Sequence, residues 1–188
     1  MKRHARASRS FAAAMLGMLV VLGGAAGAAH AAPFSLRSPA FGNGRTIPIV
    51  YTCDGRDISP PLRWDEPPPG TRSLALIMDD PDAPNPAAPK MTWVHWVLYD
   101  LPPAAGELPE GVASGDLPSG TRPGRNSWGR PGYGGPCPPI GRHRYFHKLY
   151  ALDTMLPVLD VPTKAELERA MKGHVLEKTE LVGTYQRR

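Results

Sequence analysis

A chain of 188 residues has room for one domain with a core of its own and too little for two. The formal charge of +5 is concentrated at the N-terminus: residues 1–31 hold four Lys/Arg and no Asp/Glu, so the remainder carries only +1. That balance removes the case for a nucleic-acid-binding protein working through a strongly basic surface.

Lys2, Arg3, Arg6 and Arg9 precede an Ala/Gly-rich apolar run of 19 residues, Phe11 to Ala29, and Ala29-His30-Ala31 fits a small-x-small cleavage site. This is the pattern of a secretory signal peptide. It predicts a leader over 1–31, a single domain over 32–188 and a periplasmic or secreted protein with no integral membrane span. An uncleaved anchor is the competing reading, since the run is near the spanning limit; its glycines and the cleavage site favour removal. No cysteine follows the cleavage point, as a lipoprotein would need, and the twin-arginine pair is absent.

Proline, at 23 residues, falls mostly between apolar runs, which predicts many short strands joined by stiff turns. Ile47 to Thr52 reads as a short strand. Leu74 to Met78 is nearly continuous in apolar residues, as suits a central strand buried on both faces. In Trp93 to Tyr99, alternation places Trp93, His95, Val97 and Tyr99 on one face and Val94, Trp96 and Leu98 on the other, so His95 is the one polar residue of an apolar strand. Pro102 to Gly135 is long and rich in Gly, Pro and Ser, and reads as an ordered excursion anchored by Trp128 and Tyr133. Tyr145 to Leu152 is a fourth strand. Thr163 and Glu166 form a capping box ahead of a helix with Leu167, Ala170 and Met171 on its apolar face, and Gly173 stops it. Leu181 to Tyr185 can close a sheet. Together these predict a mostly-β sandwich with a peripheral C-terminal helix.

The two cysteines are Cys53 and Cys137. In an oxidising compartment an even number invites a disulfide; two separate buried thiols are the alternative.

The candidate site residues are dispersed. A lone histidine in an apolar strand ordinarily bonds a backbone carbonyl. The Asp80-Pro81-Asp82-Ala83-Pro84 run shortly before His95 suggests more, because a nearby carboxylate fixes an imidazole's tautomer and favours its cation, which can hold an anion. Asp80 and Asp82 are also ordinary turn residues. Gly135 and Pro136 can bring backbone N–H groups against a ligand as an anion-binding nest, or simply make a tight turn. His143 and Tyr145 lie two apart and share a face if extended, with Arg144 pointing the other way.

These segments resemble the phosphatidylethanolamine-binding protein family, in its bacterial Raf-kinase-inhibitor-like branch. The resemblance runs from about Phe34 to the C-terminus. It rests on Tyr51-Thr52-Cys53-Asp54-Gly55, Ser59-Pro60-Pro61-Leu62, Asp80 to Pro84, Trp93-Val94-His95-Trp96 and Gly135 through Tyr145. It implies an antiparallel Greek-key β-sandwich with a C-terminal helix. It also implies a pocket for phosphate-type anions and phosphoethanolamine or phospholipid head groups at Asp80, Asp82, His95, Gly135, Pro136, His143 and Tyr145. No cofactor, no metal and no catalysis are implied. A partner protein at the pocket rim is a related expectation, kinase inhibition being inherited by name only. Gly-Pro-Cys-Pro-Pro at 135–139 fits the bacterial branch and departs from eukaryotic members.

Two other classes compete. A hydrolase would use Cys137 as nucleophile, His143 as base and Asp80 as orienter. Pro136 and Pro138 remove N–H donors from any oxyanion hole there, and no Gly-x-Ser-x-Gly elbow is present. A metal protein would use the two histidines with a carboxylate, but no His-x-x-x-His pair supports it.

Overall fold

The computed structural model describes residues 33–187; the signal-peptide reading of 1–31 lies outside them. In chain order the elements are β1 (Leu36–Arg37), β2 (Arg45–Thr46), β3 (Leu62–Trp64), β4 (Ser73–Asp80), β5 (Trp93–Leu101), β6 (Glu107–Leu108), β7 (Arg122–Pro123), β8 (His143–Leu152), α1 (Lys164–Met171) and β9 (Val175–Tyr185). They form a three-stranded sheet, β1-β3-β6, and a six-stranded sheet, β2-β9-β8-β4-β5-β7. No helix among the described residues is long and apolar enough to cross a membrane.

The apolar run predicted as a central strand is β4, and all eight of its residues are buried. One of its faces sends Leu74, Leu76 and Met78 into a core shared with Trp96, Leu98 and Leu149, closed by Leu36, Leu62, Trp64 and Leu108 of the small sheet. The other sends Ala75 and Ile77 against Val97, Tyr99, Leu152 and the helix residues Leu167 and Met171. The domain is therefore layered as helix, large sheet, small sheet. Each fully buried aliphatic side chain contributes roughly 1.5–3 kcal/mol of transfer free energy.

The predicted helix forms as expected. Thr163 Oγ1 accepts the Glu166 N–H at 3.3 Å, and the Glu166 carboxylate accepts the Thr163 N–H at 2.8 Å. Gly173, at φ 85°, turns the chain out into β9. A tie the sequence did not reveal holds this helix down: the buried Asp79 carboxylate lies 2.8 Å from Lys148 Nζ on β8 and 2.6 Å from Lys164 Nζ on α1.

Several expectations are corrected. Ile47 to Thr52 is not a strand. Ile47 donates one last ladder bond to Thr184, Pro48 has no N–H with which to continue, and Ile49–Tyr51 winds into a 3-10 turn. The sheet is not wholly antiparallel, because β2 pairs with β9 in parallel. The closing strand begins at Val175 rather than Leu181, pairing along most of β8. Pro102 to Gly135 is the ordered excursion expected: it supplies β6 to the small sheet and β7 to the edge of the large one.

The strict alternation read for Trp93 to Tyr99 also fails, at one point. Met78 pairs with Trp96 and Asp79 with Val94, so His95 has no partner and stands as an extra residue in β5. A bulge of this kind re-aims a side chain. Val97 and Tyr99 enter the helix-side core, whereas the His95 ring packs edge-on against Tyr145 of the other core, with centroids 5.2 Å apart.

Candidate functional site

Three strand ends meet at one rim of the large sheet: the end of β4 with Asp80, the bulge of β5 with His95, and the start of β8 with His143. These residues supply the polar lining of a cavity of about 400 Å³, walled by Pro84, Met91, Trp93, Trp128, Pro138 and Pro139. The loop from Ala83 is pinned by its own carbonyl, which accepts the N–H groups of Lys90 at 2.9 Å and Met91 at 3.2 Å. The far wall is stapled by a disulfide between Cys53 and Cys137, whose Cα atoms are 5.4 Å apart.

His143 is fully buried, with both ring nitrogens committed. Nδ1 lies 2.7 Å from Asp80 Oδ2 and Nε2 lies 3.0 Å from the Ile140 carbonyl oxygen. A carbonyl only accepts, so Nε2 carries a hydrogen, and the Nδ1–Oδ2 contact holds one shared proton. Burial pushes the Asp80 carboxyl up, and the His143 bond and the Asp82 N–H offset part of that.

His95 is the opposite case. Nδ1 lies 2.6 Å from the Gly134 carbonyl oxygen, and Nε2 is buried with no protein partner. Its ring sits edge-on between Trp128 and Tyr145, each at 5.2 Å. The expected carboxylate partner goes to His143 instead. Burial therefore dominates, pulling the His95 imidazole down to about 4, so the ring is neutral rather than cationic at pH 7.

The other predicted residues stand behind this lining. The Asp82 carboxylate takes the Arg144 guanidinium at 2.9 Å and 2.7 Å together with the Arg144 backbone N–H at 2.9 Å, and that cation holds it below the usual carboxylate range. Asp82 thus locks the loop to β8. Gly135 does make a close approach, but to the chain itself: an added Cβ would meet the Tyr51 carbonyl oxygen at 2.4 Å. Its N–H is taken by Asp57 at 2.6 Å and the Gly134 N–H by the His95 carbonyl at 3.0 Å, so no anion-binding nest forms. Pro136 accepts the Cys53 N–H at 3.2 Å. Tyr145 stacks on His143 at 6.4 Å, and its buried hydroxyl, without a partner, is raised far above its ordinary pKa by desolvation.

The competing chemistries fare unevenly. With Cys137 bonded to Cys53, its sulfur is no nucleophile, so the Cys137–His143–Asp80 triad does not form in this state although His143 and Asp80 pair. Among the described residues no group of three His, Cys, Asp or Glu is placed to hold a metal ion. A wider depression of about 760 Å³ near Arg142, Tyr185 and Arg187 contains none of the predicted residues, and Arg187 there is already paired with Asp54.

The phosphatidylethanolamine-binding protein family model matches residues 37–186. The chain belongs to that family. A UPF0098 protein of Methanothermobacter thermautotrophicus is 49% identical over 154 residues, covering 81% of this chain and 99% of that protein. One from Aquifex aeolicus is 46% identical over 155 residues, covering 80% and 86%. Among solved structures, the phosphatidylethanolamine-binding protein homologue CT736 of Chlamydia trachomatis superposes with a TM-score of 0.76 at 41% identity, covering 82% of this chain and 98% of its own. Escherichia coli YbcL, a member of the same family, gives 0.75 at 29% identity, covering 84% and 100%. The family's fold is thus the one described above, with the cavity at the rim where its motifs gather. Sequence reasoning missed Met91 and Trp93 as cavity walls; the one signal available was apolar residues directly before a strand that carries a lone histidine.

Proposed function

We propose that this member of the phosphatidylethanolamine-binding protein family is a non-enzymatic binding protein for small oxyanions, phosphate or phosphoethanolamine head groups, acting outside the cytoplasm. The observation that carries the reading is His95 Nε2, a buried polar atom with no protein partner beside a cavity of about 400 Å³, a volume suited to a small ligand. Trp93 and Trp128 are T-shaped at 5.4 Å on its wall, and aromatic faces there suit the ammonium of an ethanolamine group. The disulfide favours an oxidising compartment, in keeping with the N-terminal export pattern. Met91 and Trp128 stand 51% and 43% exposed at the mouth, apolar area that a partner protein would cover.

Calorimetric titration of the protein with phosphate, phosphoethanolamine and short-chain phosphatidylethanolamine, beside His95→Ala and His143→Ala, tests this. Saturable binding that weakens by about tenfold or more in both variants is expected. A folded protein that binds none of the three refutes the head-group reading.

A further inference from the structure

The hydrogen-bond inventory at His95 is one-sided. Because Nδ1 of His95 donates to the Gly134 carbonyl, the neutral ring presents only a lone pair at Nε2. Three nearby donors are spent, His143 Nε2 on Ile140, the Gly134 N–H on His95 and the Gly135 N–H on Asp57, which leaves the indole N–H groups of Trp93 and Trp128 as the side-chain donors of the lining, neither of them charged. Tyr145, whose hydroxyl is a neutral donor, is not among the lining residues, and neither is any lysine or arginine. The charged and titratable groups around His95 are Asp79 and Asp80 from β4 and His143, Tyr145 and His147 from β8; His147 is itself buried and neutral at pH 7. Asp80 already shares its proton with His143, so that pair offers a dianion no free cation, and a fully ionised ligand would meet the bare His95 nitrogen with no hydrogen to place on it.

On the reading of the cavity as an oxyanion site, we propose that it accepts oxyanions only together with a proton, so that its ligand class is the phosphate or phosphomonoester monoanion and not sulfate. One P–OH hydrogen lies between the ligand oxygen and His95 Nε2. That hydrogen arrives on the monoanion, or a dianion binds and one proton is taken from solvent; the complex is the same in either case. The depressed basicity of the buried ring favours leaving the hydrogen on the ligand side of the bond. Sulfate carries no hydrogen at neutral pH and leaves the lone pair unmet.

Inorganic phosphate and sulfate are titrated into the protein by calorimetry at slightly alkaline pH, where phosphate is mostly dianion, in HEPES and in Tris, whose ionisation heats differ. The expected result is uptake of about one proton per phosphate bound, affinity falling about tenfold per pH unit above the second phosphate pKa, and sulfate roughly a hundredfold or more weaker. His95→Gln, which puts an amide able to donate near the place of Nε2, is expected to gain sulfate affinity and lose the proton uptake. Equal binding of phosphate and sulfate with no proton uptake by the wild-type protein overturns the inference and leaves the oxyanion pocket standing. Binding of neither by the folded protein overturns both. Should His95→Gln not fold, the wild-type comparison decides alone; should it fold and still reject sulfate, the assignment to His95 is wrong.

Discussion

Asp79 and Asp80 are neighbours on β4, both buried, and face opposite layers of the domain. Asp79 is closed in by two ammonium groups, from Lys148 and Lys164, that fasten the helix to the large sheet. Asp80 meets a titratable ring, His143, and a backbone N–H at the edge of a cavity. The same contrast holds for the two faces as wholes. The cavity-side core carries three buried imidazoles, His95, His143 and His147, and a phenol without a partner, whereas the helix side carries a matched ion cluster in an otherwise apolar layer. A carboxylate held by permanent cations is a clamp; one held by a group that can gain or lose a proton remains chemically adjustable.

The contrast is sharpened most by acid. Burial pulls both His95 and His147 down to about 4, below the imidazole value of 6.5. The unfolded chain therefore binds more protons between about 6.5 and about 4, and stability falls as the pH drops through that window, by up to about 3 kcal/mol for each ring. Urea unfolding across that range is expected to show the loss. His147→Leu, which removes a ring whose nitrogens make no hydrogen bond, is expected to flatten the slope and raise stability at pH 7; an unchanged slope would locate the acid sensitivity elsewhere.

Removing the staple comes next. Cys53 and Cys137 are 84 residues apart, and the paired substitution Cys53→Ser with Cys137→Ser is expected to cost about 4 kcal/mol by denaturant midpoint, with weaker ligand binding because one cavity wall loses its anchor. Asp79→Ala then breaks the clamp directly. It leaves two lysines facing a buried vacancy, at an expected cost of about 3 kcal/mol, with ligand affinity kept. Asp80→Asn is expected to do the reverse, costing about 1 kcal/mol of stability while changing ligand affinity and its pH dependence. Equal effects of the two on binding would erase the distinction between neighbours. The smallest change is Thr163→Ala, worth about 1 kcal/mol by thermal unfolding, since it removes one half of the capping box while the ion cluster still holds the helix.

Much of the large sheet and all of the helix were legible in the sequence, because β4 and α1 announce themselves through local pattern and capping. Asp80, His95 and His143 were legible as a group through their motifs, and the structure brings them to one cavity. What escaped depends on pairing between distant segments. The bulge at His95 exists only relative to the register of β4, which no single strand's alternation reveals. The partner of Asp82, Arg144, lies 62 residues away, so a turn residue and a loop clamp look alike in sequence. Gly135 was rightly read as a place of close approach, but the approaching group is the backbone near Tyr51, brought there by the fold and the disulfide.

The bulge has a further consequence for how such a site can come and go. Beside His95 the ladder is regular from Trp93 to Leu98, a second register shift lying only beyond Leu98: Val94 faces the helix layer with Val97 and Tyr99, and Trp96 faces the other core. Remove His95 alone and every remaining side chain of β5 keeps its face, with Asp79 still opposite Val94 and Met78 opposite Trp96. The histidine is thus an addition to the strand rather than a replacement within it. A one-residue deletion, ordinarily the most damaging edit to a strand because it flips everything beyond it, would here heal the ladder and remove only the histidine with its contacts to Gly134, Trp128 and Tyr145.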